Sequence, residues 1–184
     1  EEQLEELIPT QVEISSEETL SLQEKETIRL LINYGWQKLD HENLHLCQYL
    51  LSETEGITFQ TPIYQKILTL YRNALSQGEI PTHDFFISQR DAEVKQVVID
   101  MITPRHEISA HWHERHQIFI ATEADDLAQT AFKSILRLKR RLVLKMMDEA
   151  KQKIKSAEAE KLDSEKVFEL QQVYFELKKV QLEI

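Results

Sequence analysis

TEADDLAQTAFKSILRLKRRLVLKMMDEAKQKIKSAEAEKLDSEKVFELQQVYFELKKVQLEI, residues 122–184, runs to the last residue without a proline or a glycine. Within it Leu127, Ala131, Ile135 (or Ser134), Leu138, Leu142, Met146, Ala150 and Ile154 recur at steps of three and four. That is the period of one helix face. Thr122 with Asp125 has the form of a capping box, in which each side chain satisfies a free amide at the helix start. The spacing predicts one helix from there to about Lys161, roughly 60 Å long at 1.5 Å per residue. Leu162-Asp163-Ser164 reads as a short break with a new cap. A second stripe follows: Val167, Leu170, Tyr174 (with Val173), Leu177, Gln181 (with Val180) and Ile184. Two stripes joined by a tight break predict an antiparallel αα-hairpin. Such a hairpin has no core of its own, so it packs on the rest of the chain or projects to meet another protein.

Upstream the same period continues in shorter units. Ser21 with Glu24 reads as a capping box before Leu22, Ile28, Leu31, Ile32, Gly35 or Trp36, and Leu39, with Asp40 as the stop. A second helix is expected from about Glu42 to Ser52, with Leu44, Cys47, Leu50 and Leu51 inward. Thr61-Pro62 opens a third in the favoured way, with proline at the first position. Ile63, Ile67, Leu70, Tyr71 and Leu75 form its inward face, and Gly78 closes it. Pro81-Thr82 starts a short helix with Phe85, Phe86 and Ile87. Asp91 caps the next, whose apolar set is Val94, Val97, Val98, Met101 and Ile102, ending at Pro104. A further short helix near residues 109–118 holds Trp112. The expected fold is all-α: a bundle of about six helices over 21–121, then the long helix and hairpin of 122–184. Residues 1–20, acidic and without period, read as a linker tail.

Composition supports that class and narrows the function. Three glycines and four prolines in 184 residues leave little for the turns of a β fold. The formal net charge of -10 argues against nucleic acid as the main partner, because phosphate neutralisation needs a basic field. The charge is uneven: residues 1–26 carry nine acids and one base, and residues 133–155 nine bases and two acids. The basic run is expected to be a solvated face, or one that docks an acidic partner or a phosphate backbone. The single cysteine, Cys47, sits among leucines as a buried thiol. No apolar run is long enough to span a membrane and no signal peptide is visible, so the chain reads as a cytoplasmic fragment of something longer.

Catalytic patterns are missing. His106, His111, His113 and His116 form the densest ligand-type group, but His113-Glu114-Arg115-His116 is one residue short of HExxH. His111 and His113 point about 200° apart on a helix. No nucleophile elbow or phosphate-cradling glycine loop occurs. The expectation is no enzyme, no metal and no cofactor.

EKETIRLLINYGW (24–36), FQTPIYQKILTLYRNAL (59–75) and DAEVKQVVIDMITPRHEIS (91–109), followed by the basic long helix, resemble the C-terminal region of bacterial DnaG-type primases. The resemblance covers residues 21–184. It implies a helical bundle with a helical hairpin that binds the N-terminal domain of the replicative DnaB-type helicase, coupling primer synthesis to the fork, while the chemistry sits in other domains. The alternatives are the N-terminal domain of the helicase itself, which has a similar fold, and a helical adaptor unrelated to replication. Contact residues are expected on the hairpin at Phe168, Tyr174, Phe175, Leu177 and Val180, with Arg140 and Arg141 beside them. Phe175 lies off the inward stripe and is the better candidate for an outside contact. No direct nucleic-acid binding is expected; a hairpin-mediated dimer is compatible with an exposed stripe.

Overall fold

A computed structural model describes residues 16–39, 44–103, 123–160 and 164–184. Every described element is helical apart from one isolated bridge, and the fold is all-α. Seven α-helices occur among the described residues: α1 Ser16–Tyr34, α2 Leu46–Glu53, α3 Pro62–Ser76, α4 His83–Ile87, α5 Ala92–Ile102, α6 Leu127–Ala159 and α7 Ser164–Glu183. A 3-10 turn, Glu123–Asp126, precedes α6. The expected helix near 109–118, its histidines, and Thr122 lie outside the described residues.

α1 is the hub. It starts at Ser16, five residues before the expected Ser21, and so takes in part of what reads as a linker. Glu24 does not cap α1. It is buried, and its carboxylate accepts the backbone N–H groups of Gln60 (2.5 Å) and Thr61 (3.0 Å) at the start of α3. Leu20, Ile28, Leu30, Leu31 and Ile32 are buried around the helix, because α2, α3, α5 and α6 pack on it from several sides.

The remaining boundaries follow local chemistry. Lys38 and His45 pair across the residues that link α1 to α2. His45 Nδ1–H donates to the Trp36 carbonyl at 2.8 Å, and Gln48 Oε1 accepts the His45 N–H at 2.9 Å. Consequently α2 begins at Leu46, later than the expected Glu42. Arg72 of α3 donates to the Thr54 carbonyl at 2.7 Å, capping the end of α2. Pro62 opens α3, and Gly78, at φ 83°, follows its end. The Asp91 carboxylate accepts from Glu93 N–H and Val94 N–H at 2.9 and 3.2 Å, holding the start of α5. Phe86 of α4 packs edge-on to Phe85 and 5.9 Å from the Tyr71 ring, sealing the core end of α3.

The expected single stripe of α6 divides into two faces. Leu127, Ala131, Ile135 and Leu138 join the same core as α1–α5. Beyond Leu138 the next buried residue is Val143, followed by Met147, Ala150 and Ala157. That step of five turns the buried face by about 140°. Met146, expected inward, is exposed, and Leu142 and Ile154 are half-buried. α6 changes partner at this point, from the bundle to α7. It covers 33 residues, about 50 Å, and is shorter than expected because its first turn is the tighter 3-10 segment.

One ion pair ties α1 to the entry of α6. Arg29 Nη1 donates to Glu123 Oε2 at 2.8 Å, a second bond joins Nη2 to Oε1, and Glu26 binds the same guanidinium. Burial pushes the Glu123 carboxyl upward, but hydrogen bonds from Arg29 and its charge outweigh burial and hold it below its ordinary value. A depressed folded-state pKa gives stability that is present above the unfolded value and lost as pH falls through the folded one. Glu123→Gln is therefore expected to lower stability by about 1 kcal/mol at neutral pH, a modest figure because the pair is partly solvated. The gap to the parent should begin to narrow at about pH 4, near unperturbed carboxyl values, and close as pH falls through the lower folded-state value. Thermal melts of both proteins from pH 7 to 3 check this; a gap constant with pH would refute it.

Candidate functional site: the C-terminal hairpin

α7 makes its extensive contact with α6. Its half-buried residues include Val167, Leu170, Tyr174, Leu177, Gln181 and Ile184, the positions of the expected stripe. Steps of three and four in strict alternation are a seven-residue repeat, which keeps one seam against a partner helix. Lys151 Nζ sits 5.7 Å from the Tyr174 ring centroid, so the chain has reversed and the hairpin is antiparallel.

This geometry sorts the expected contact residues. Tyr174 and Leu177 lie in the seam, turned towards α6. Phe168 and Phe175 point away from it, 58% and 59% exposed, and Val180 is also exposed. Arg140 and Arg141 are exposed on α6. Where α6 and α7 are paired, three further apolar residues are exposed against expectation: Val173, Met146 and Leu182, the last 81% exposed; on α1 and just after it, Leu22 and Trp36, expected inward, are exposed too. Leu182 was visible as the third member of a seven-residue series with Phe168 and Phe175. Met146 was not, since it fits the stripe that α6 abandons.

The exposed residues occupy two flanks. On a right-handed helix the residue after an inward position turns about 100° one way, and in an antiparallel pair that direction is the same side for both helices. Phe168, Phe175 and Leu182 follow inward Val167, Tyr174 and Gln181; Lys151 and Lys155 follow inward Ala150 and Ile154. These five share one flank, as the contact of Lys151 with Tyr174 requires. Val173 and Val180 precede inward positions, as does Met146, and they share the other.

Elsewhere the described residues offer less. A cleft of ≈530 Å³ at one end of the bundle is lined by residues that include Gln37, Leu39, Tyr49, Asp126 and Phe132, and its lining has no serine, cysteine or histidine. Cys47 is buried, and burial pushes its thiol pKa up, away from the reactive thiolate. Among the described residues no three potential metal ligands converge, and no helix is long and apolar enough to cross a membrane.

Fold and surface together define an all-α protein that ends in an antiparallel helical hairpin with an open outer surface. The chain belongs to the family described as a domain of unknown function (DUF8430), which matches residues 11–184. No curated protein and no solved structure matches it.

Proposed function

We propose that this chain is the partner-docking module of a DnaG-type primase, and that it holds the N-terminal domain of the replicative DnaB-type helicase on its C-terminal hairpin. The carrying observation is the apolar flank formed by Val173 and Val180 of α7 with Met146 of α6, all exposed along the paired helices. Large apolar side chains gathered on one exposed side mark a surface that another protein covers. The choice of a helicase rests on the resemblance of residues 21–184 to primase C-terminal regions. Primer synthesis would then lie in other domains of the parent protein, and this module would bring it to the fork.

The test is capture of the purified helicase on the immobilised chain, beside a Val173→Asp/Val180→Asp variant. Truncated interface anchors lose about 1–2 kcal/mol or more, so capture should weaken at least about fivefold. The variant should melt with the parent, because both positions are exposed. No capture by the parent chain would overturn the primase reading. Undiminished capture by the variant would move the contact off this flank.

A further inference from the structure

The other flank has a different chemistry. Of the nine bases between 133 and 155, Lys139 reaches Glu53 and Lys145 reaches Gln60, both towards the bundle. Lys153 is exposed on another face, in a cleft with Glu17 and Glu149. Lys133, Arg137, Arg140, Arg141, Lys151 and Lys155 are all exposed, and they fall on the solvent side of α6. They recur along it over about 33 Å. Lys151 has a loose pair with Asp148 at 3.6 Å and Lys133 a bond to Gln129. Arg137, Arg140, Arg141 and Lys155 have no acidic partner among the described residues. A chain with a net charge of -10 thus keeps a row of uncompensated cations on one side of one helix. Net charge argues against a polyanion as partner, but binding responds to the local field, which here is basic.

Beside that row stand Phe168 and Phe175, on the flank that Lys151 and Lys155 share. They occupy positions that a two-helix hairpin ordinarily gives to charged residues, and they lie two turns apart, about 10 Å. A row of cations bordered by exposed aromatic rings matches what single strands offer: phosphates for the basic side chains, nucleobases to stack on the rings. A duplex hides its base faces and would leave the phenyl rings unused. An acidic protein would match the cations, and the test includes it as an outcome.

We propose that this flank of the hairpin binds single-stranded nucleic acid, with Arg137, Arg140, Arg141, Lys151 and Lys155 on the phosphates and Phe168 and Phe175 stacked on bases. The site is separate from the flank assigned to the helicase. It is tested without helicase present, so either reading can fail alone.

The experiment is fluorescence anisotropy of the full chain with labelled oligo(dT) and oligo(rU) 20-mers. Five phosphate contacts to a single strand predict a log–log salt slope near -3.5, about a hundredfold weakening for a fourfold rise in salt. Arg140→Glu/Arg141→Glu should weaken binding at least about tenfold and flatten the slope. Arg90→Glu/Lys95→Glu, an equal charge change on α5 and its entry, should not. Phe168→Ala/Phe175→Ala should weaken binding about tenfold or more with the slope unchanged, as stacking does not release counterions. Binding of either oligonucleotide with this pattern supports the proposal, and the preferred sugar identifies the natural strand. Absence of binding at low salt, duplex bound as tightly as single strand, or indifference to loss of the two rings would overturn it. The last result would leave the cations to an acidic protein.

Discussion

Gly35→Ala is expected to be among the most damaging single-methyl additions in this protein. A Cβ at residue 35 would lie 2.1 Å from the Tyr71 hydroxyl oxygen and 2.4 Å from the Leu31 carbonyl oxygen. Neither can yield cheaply. Leu31 belongs to the last turns of α1, and its carbonyl accepts the Gly35 N–H at 3.0 Å. Tyr71 is fully buried and wedged against Phe86. Forcing an atom into a packed core costs about 1–3 kcal/mol, and two contacts this short place the cost at about 3 kcal/mol. For a chain of this size that lowers the melting temperature by roughly 6–12 °C. A companion substitution makes the cause identifiable. The buried Tyr71 hydroxyl has no partner in good hydrogen-bond geometry and at best a weak contact with the Cys47 thiol beside it, so Tyr71→Phe alone should be nearly neutral. Combined with Gly35→Ala it should recover part of the loss by removing the first contact and leaving the second. Calorimetry on the four proteins gives the cycle; additive losses would show that the hydroxyl is not what excludes the methyl group.

That contact also shows where sequence reading stops. Gly35 and Tyr71 are 36 residues apart, and nothing in the spacing of α1 announces that the α3 ring leans on its last turn. Signals carried by neighbours in the chain did survive: Pro62 and Gly78 bound α3, Asp91 caps α5, and the seven-residue repeat of α7 faces α6. Signals that depend on a change of partner did not. The α6 stripe extrapolates through Met146 only if one surface covers the whole helix, whereas the bundle covers its first half and α7 its second. The hairpin surface was legible at Phe175, because an aromatic off an inward stripe needs another explanation. Its division into two flanks required the antiparallel pairing, which fixes the side to which each residue turns.

Glu24→Ala should match or exceed that loss. Read along the chain, Ser21 and Glu24 have the spacing of a capping box at the start of α1. In the fold α1 is already two turns old at Glu24, and the carboxylate serves a different helix. It is 1% exposed and accepts the N–H groups of Gln60 and Thr61, just ahead of Pro62. Thr61, the residue before α3, makes no side-chain cap of its own, and its hydroxyl is engaged with Ser21 at 2.9 Å. The first turn of α3 therefore borrows its cap from α1, and a negative charge at a helix N-terminus is favoured by the helix dipole. Hydrogen bonds to a charged group contribute about 1.5–3 kcal/mol each, and removing the acceptor leaves two part-buried donors to find other partners. The burial cost of the carboxylate offsets part of this, which leaves a net loss of about 3 kcal/mol for alanine. Glu24→Gln should cost less, because one amide oxygen can still accept while the NH₂ group faces an N–H. Hydrogen exchange locates the effect: the Gln60 and Thr61 amides should be protected in the parent and exchange far faster in Glu24→Ala, even where the core amides of α3 stay protected. Equal protection of these two amides in parent and variant would mean that Glu24 is buried without capping α3.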